Sequence, residues 1–263
     1  MIKSYLNTAI EAANLAASEI LNSFNKPKNV EYKSRTDLVT DTDRNAERII
    51  TSVICSKFPN HGILAEESGL TERDKGHLWV IDPLDGTTNF VHGYPSFGIS
   101  IGLLENNKPI IGVVVELPAN NIYTAIKNEG AYCNDQKLAV SQISNLDKSL
   151  LVTGFGYQHG EKWQANIELF KQLTDKTQGV RRLGAAAIDL CHVAKGVVDG
   201  YWEFDLNPWD SAAGVLIVEE AGGKISGMNG DPHSIYDKHI LASNGLLHAD
   251  ILRYTSKVSD KLF

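Results

Sequence analysis

Asp82 and Asp85 stand three residues apart where the apolar run Trp79-Val80-Ile81 ends, and Gly86, Thr87 and Thr88 follow directly. A buried strand that stops in acid and then a glycine is how an α/β chain presents charge at the carboxyl edge of its sheet, where ligands bind. Pro83 fixes φ and removes an N–H, so the chain is expected to turn as it leaves the strand, with both carboxylates and the Leu84 carbonyl facing one point. An all-oxygen set of this kind suits a hard cation, Mg²⁺ before Zn²⁺ or Cu²⁺. Gly86 permits close backbone approach, and its N–H with that of Thr87 suits a phosphate. The spacing disfavours a phosphoaspartate scheme, which wants two aspartates two apart. Taken alone the segment reads equally well as an Asx-turn with a helix cap.

Further acids fall at comparable places. The short apolar run Gly62 to Ala65 reads as a strand that ends in Glu66-Glu67-Ser68, and two strands that both end in carboxylates can set them side by side. Asp43 lies at the start of the helix marked by Ala46, Ile49, Ile50, Val53, Ile54 and Phe58. The polar stretch 31–43 before it reads as a solvated loop leading into the N-cap. Pro208-Trp209-Asp210 opens a helix running to Ala221, and an aspartate there is ordinarily a cap. Glu203 reads as the exposed end of an apolar strand over 197–202. Arg181-Arg182 could meet a second phosphate but reads first as an interface or surface strand, and Trp163, Trp202 and Trp209 read as core. The eight histidines form no His-x-x-x-His pair, and neither a Gly-x-Ser-x-Gly elbow nor a Walker loop occurs.

These residues need a scaffold, and the chain has one. Its 263 residues, 43% hydrophobic and 22% charged, suit one large core or two smaller ones. A net charge of −7 leaves no strong nucleic-acid signal. Cys55, Cys133 and Cys191 are scattered and odd in number, which reads as small hydrophobes in a reducing cytoplasm. No membrane span or signal peptide is expected. Ile2 to Phe24 repeats apolar residues at helical spacing, up to Pro27. The runs 97–104, 110–115 and 122–126 are closely spaced, which predicts an antiparallel meander. From about Leu150 strands and helices alternate: strand 150–152, helix 163–176, alanine-rich helix 184–194, and strands at 225 and 240–242. The expected division is an N-terminal α+β subdomain, 1–145, and a C-terminal α/β subdomain, 146–263.

Asp82-Pro83-Leu84-Asp85-Gly86-Thr87-Thr88-Asn89-Phe90, Glu66-Glu67-Ser68 and Pro208-Trp209-Asp210-Ser211-Ala212-Ala213-Gly214 resemble the signature blocks of the inositol monophosphatase family, in order and approximate spacing. With Lys33 to Asp43 and Gly184 to Glu203, the likeness covers most of the chain. It implies a layered αβαβα sandwich of the sugar-phosphatase type, a homodimer, lithium sensitivity and two or three Mg²⁺ ions. Glu66, Asp82 and the Leu84 carbonyl would hold one ion, and Asp82, Asp85 and Asp210 a second. Thr87 paired with Asp43 would position the attacking water beside Glu66. Gly184, Ala185, Ala186 and Glu203 would line the substrate pocket, with Leu84, Asp85, Gly86, Thr87 and Asp210 also meeting the substrate. Lys33 and Asp37 would sit on a mobile loop over the metals. Ala65 and Ala185 stand where relatives often carry glycine and a hydroxyl residue. The implied reaction is Mg²⁺-dependent hydrolysis of a small polyol or sugar monophosphate, myo-inositol 1-phosphate first. Fructose 1,6-bisphosphate, 3'-phosphoadenosine 5'-phosphate and histidinol phosphate are the alternatives with the same chemistry. A non-catalytic polyanion-binding or interaction protein is the alternative of another class.

Overall fold

The computed structural model describes residues 1–34, 38–71, 74–157 and 159–262. Helix α1 (Ile2–Phe24) buries a stripe of small residues, Ala9, Ala12, Ala13, Ala16 and Ala17, with Tyr5 and Ile20 at its ends. Small side chains let it lie close to its neighbours. The stretch expected as a loop instead contains a two-stranded hairpin, β1 (Val30–Tyr32) with β2 (Leu38–Thr40), because Tyr32 and Leu38 pair across it. Helix α2 (Asp41–Lys57) follows at once.

An eight-stranded sheet comes next in the chain: β3 (His61–Ala65), β4 (Gly69–Thr71), β5 (Asp74–Asp85), then after the short helix α3 (Thr87–His92) β6 (Phe97–Glu105), β7 (Lys108–Leu117), β8 (Asn121–Ile126), β9 (Gly130–Cys133) and β10 (Gln136–Lys137). Its order is β10-β9-β8-β7-β6-β5-β3-β4, with β6 to β8 forming the expected antiparallel meander. The pair β3–β5 is parallel. Helices α1 and α2 cover one face of this sheet.

The later chain gives β11 (Leu150–Thr153), α4 (Glu161–Lys176), β12 (Gly179–Arg181), α5 (Ala186–Ala194), β13 (Gly200–Phe204), α6 (Pro208–Glu220), β14 (Lys224–Ser226), β15 (His239–Ser243) and α7 (His248–Leu262). Its five strands run in the order β12-β11-β13-β15-β14, parallel around β11 and antiparallel around β15. Helices α5 and α6 are buried between the two sheets, and α4 and α7 cover the outer face of the second. The layering is therefore α1/α2, sheet, α5/α6, sheet, α4/α7, an αβαβα sandwich. Two boundaries differ from expectation. Helix α5 begins at Ala186, because Gly184 has φ +85°, a left-handed conformation that cannot enter a helix. Strand β13 extends to Phe204, so Glu203 lies inside it, opposite Ile240, and not beyond its end.

Candidate active site

Strand pairing brings the first two acids together. Ala65 is opposite Ile81 in the parallel pair β3–β5, and the Glu66 N–H donates to the Ile81 carbonyl at 3.2 Å. Glu66 thus leaves β3 beside Asp82. The chain does not turn away at Pro83. Strand β5 continues through a bulge, with Asp82 opposite Ser100 and Asp85 opposite Gly98, and the bulge accommodates a proline that has no N–H to give the ladder. Asp82 Oδ1 accepts from the Leu84 N–H at 3.0 Å.

Asp85 meets the amino end of α5. Its Oδ1 and Oδ2 accept from the N–H groups of Ala186 and Ala187 at 3.2 and 2.7 Å, which satisfies two free helix donors and ties the two sheets' layers together. Asp210 caps its own helix: Oδ2 accepts from the Asn207 N–H at 2.6 Å within a capping box. Ser100, across from Asp82, donates to the Trp209 carbonyl at 3.2 Å and so fixes the start of α6 against β6. The capping reading and the ligand reading of Asp210 are thus compatible, since Asp210 also lines the cleft beside Asp82 and Asp85.

Thr87 Oγ1 lies 2.9 Å from Asp43 Oδ1 and 3.0 Å from the Leu84 carbonyl, and its one proton serves one acceptor at a time. Asp43 is buried, and its Oδ2 receives both the N–H and the hydroxyl of Thr40. Burial raises the Asp43 pKa, and the Thr40 and Thr87 bonds oppose the rise. Thr40 was not singled out from sequence, though Thr40-x-x-Asp43 is a capping-box pattern that signals it. Lys33 Nζ is 3.0 Å from Glu66 Oε1 and 2.6 Å from Glu67 Oε1. Buried Glu47 accepts from the Glu67 N–H at 2.8 Å and anchors this turn to α2. Asp37 lies outside the described residues.

Glu66, Asp82, Leu84, Asp85, Gly86 and Thr87 line a cleft of about 130 Å³ together with Gly184, Ala186, Glu203 and Asp210. Ala185 is buried behind it as the N-cap of α5. Gly86 has φ +84°, and a Cβ there would lie 3.0 Å from the Ser96 carbonyl and 3.2 Å from Ala185 Cβ, so the turn into α3 needs glycine. Asn89 holds that turn against the second half, donating to the Ser96 and Leu183 carbonyls at 2.6 and 2.7 Å. Sequence reasoning missed Gly154, Phe155, Tyr157 and Asp205, which also line the cleft. They follow β11 or end β13 and carry no local motif. Arg182 and Trp209 line it too, which corrects their assignment to a surface strand and to core; Trp209 is only half-buried.

Burial raises the pKa of Glu66, Asp82, Asp85 and Asp210. Burial pushes Glu66 up to about 7, against the pull of Lys33, and Asp85 up to about 6, against the α5 amides. Asp82 and Asp210 are raised by burial and then by repulsion from the other carboxylates. Six carboxylates, Glu66, Asp82, Asp85, Glu203, Asp205 and Asp210, line one cleft with Arg182, and Lys33 is bonded to Glu66. This donor set fits hard divalent cations, whose charge would relieve the repulsion. Among the described residues no three His, Cys, Asp or Glu side chains stand at ligand spacing.

A layered sandwich that gathers acids at the carboxyl end of an interior strand, beside a buried hydroxyl–carboxylate pair, defines the class of layered sugar- and inositol-phosphatases. The chain belongs to the inositol monophosphatase family, whose model matches residues 1–260. It is 47% identical over 258 residues to the chloroplastic phosphatase IMPL1 of Arabidopsis thaliana, covering 95% of this chain and 70% of that protein. It is 46% identical over 252 residues to an inositol-1-monophosphatase of Synechocystis sp., covering 95% of this chain and 88% of the relative. The structure of the extragenic suppressor protein suhB of Bartonella henselae superposes with a TM-score of 0.93 at 34% identity, covering 97% of this chain and 99% of that one. The protein is a phosphatase of this family, and among the described residues no helix is long and apolar enough to cross a membrane.

Proposed function

We propose that the protein hydrolyses the phosphate monoester of a small neutral polyol, myo-inositol 1-phosphate first, in an Mg²⁺-dependent reaction. The observation that carries this is the convergence of Glu66, Asp82, Asp85 and Asp210 on one cleft, with the Thr87–Asp43 pair on its wall. Glu66, Asp82, the Leu84 carbonyl, Asp85 and Asp210 would hold two or three ions. Bound Mg²⁺ would neutralise the phosphate and acidify a water, the two requirements of a reaction otherwise among the slowest known. Thr87, its proton on Asp43, offers lone pairs to a water and so orients it beside Glu66, which accepts the water's proton. The N–H groups of Gly86 and Thr87, at the start of α3, suit the phosphate oxygens. Glu203, with Gly184 and Ala186 close by, faces the alcohol and accepts hydrogen bonds from its hydroxyls. Lys33 would be released from Glu66 and Glu67 when cations bind.

All of Glu66, Asp82, Asp85, Asp210, Thr87 and Asp43 are in place, and a non-catalytic polyanion-binding relative would be expected to have lost at least one. The same reading includes a cytoplasmic, lithium-sensitive homodimer. It also includes subdomains 1–145 and 146–263, supported by the two sheets falling on either side of that break. The test is phosphate release by purified protein from inositol 1-phosphate, fructose 1,6-bisphosphate, 3'-phosphoadenosine 5'-phosphate and histidinol phosphate, with Mg²⁺ and with excess chelator. Release is expected only with Mg²⁺, fastest on inositol 1-phosphate, and reduced by roughly 10³-fold or more in Asp82→Asn. Equal release under chelator would refute the metal-dependent mechanism.

A further inference from the structure

Glu203 is held by residues that the reaction itself does not call for. Its Oε2 accepts from the hydroxyl of Tyr201 at 2.6 Å, and Tyr201 is fully enclosed. In a strand, residues two apart share a face, so the pair is set by β13 alone. On the other side the carboxylate lies against the backbone of Gly154. A Cβ at Gly154 would fall 2.0 Å from Glu203 Oε2 and 2.2 Å from its Oε1, so no other residue leaves the carboxylate where it is.

That glycine is itself clamped. Its carbonyl accepts from Asn166 Nδ2 at 2.6 Å, while Asn166 Oδ1 accepts from the Trp202 indole at 2.6 Å. Thr153 donates to the Trp202 carbonyl at 2.7 Å. Asn166, Trp202 and Thr153 are all buried, so strands β11 and β13 and helix α4 lock the 153–154 backbone from behind. Hydrogen bonds of this kind, fully enclosed and each with its partner, are how a scaffold fixes a contact residue to one rotamer.

We propose that Tyr201 and Gly154 are positioning residues for Glu203: Tyr201 fixes one carboxylate oxygen, Gly154 provides the space for both, and together they set the affinity for the hydroxyls of the alcohol. This rests on the assignment of Glu203 to the alcohol side of the cleft. Tyr201→Phe keeps the ring and removes only the bond. Gly154→Ala places a methyl group where the carboxylate lies, and the side chain that must yield is Glu203, whose far end can move.

The test is a double-mutant cycle on the full-length protein with inositol 1-phosphate and Mg²⁺. Tyr201→Phe and Gly154→Ala should each raise KM roughly three- to tenfold with kcat changed less than twofold, as the loss of about one ordinary hydrogen bond in substrate binding predicts. In a Glu203→Ala background neither substitution should raise KM further, because there is no carboxylate left to position. Effects that persist undiminished in that background would overturn the proposal and reduce both residues to packing. So would a Tyr201→Phe protein with an unchanged KM. If the unsubstituted protein does not hydrolyse inositol 1-phosphate at all, the proposed function has failed instead, and the cycle is run on whichever of the four esters it does hydrolyse.

Discussion

Thr87 shows how one residue joins two jobs. It begins helix α3 after a left-handed Gly86, and its hydroxyl reaches Asp43 at the start of a different helix, 44 positions earlier in the chain. A threonine methyl can be replaced at little cost to packing, but the hydroxyl cannot. Thr87→Ser should retain most activity, whereas Thr87→Val should lower kcat roughly 10²–10³-fold with KM little changed, the loss typical of a group that acts mainly in the transition state. Steady-state kinetics on inositol 1-phosphate distinguishes this from a binding defect, which would raise KM at constant kcat. Glu66 and Asp82 are a different case. Asp82 has a local bond to the Leu84 N–H, but only the register Ala65 opposite Ile81 sets it beside Glu66.

At the scale of elements, helix α6 has to approach the eight-stranded sheet closely enough for Asp210 to reach the edge of β5. Glycines allow it. A Cβ at Gly112 in β7 would lie 2.7 Å from the Ala213 carbonyl oxygen and 3.2 Å from its Cα, and one at Gly102 in β6 would lie 3.0 Å from Ala212 Cβ. The alanines of Ser211-Ala212-Ala213-Gly214 are the matching small surface on the helix. Gly112→Ala should therefore cost about 1–3 kcal/mol, as overpacking of a close interface does, and should also lower activity by displacing Asp210. Urea unfolding measures the first and phosphate release the second. A variant as stable as the parent would show that α6 has room to spare.

At the scale of the molecule, the acid cluster makes folding depend on pH and on cations. Glu66 and Glu203, both raised to about 7 by burial, bind protons in the folded protein that the unfolded chain has already released. Their contribution is complete below the unfolded pKa near 4.5 and is lost as the pH rises through 7. Asp82, Asp189 and Asp210, also raised by burial, act in the same direction. Burial lowers the pKa values of His233, His239 and His248, which act oppositely, but below pH 7. The melting temperature of metal-free protein should fall by about a few degrees between pH 6 and 8.5, through pH 7. Millimolar Mg²⁺ should restore it, with a larger gain at pH 8.5 than at pH 6, since protons compete with the ion at low pH. Calorimetry at the three pH values checks this, and a cation effect independent of pH would contradict it.

The sequence by itself determined which residues carry charge at which element ends, because helix period, strand alternation and the Gly and Pro stops are local properties. It placed α1, α2, the meander β6 to β8 and the start of α6, and the three signature blocks named the family. It did not reveal that Pro83 sits in a bulge of a continuing strand, that α5 waits until Ala186, or that Glu203 lies inside β13. Each of those depends on the neighbouring strand or on a backbone angle, not on the segment's own pattern. Only the tertiary structure decided that Asp85 caps α5, that Ser100 ties α6 to β6, and that Gly154, Tyr157 and Asp205 join the cleft. Those contacts span up to 109 positions of chain, and the parallel pair, the crossing glycines and the layer order bring them together. The block from Asp82 to Phe90 therefore announced a phosphate chemistry, while the alcohol side of the cleft was built by the fold.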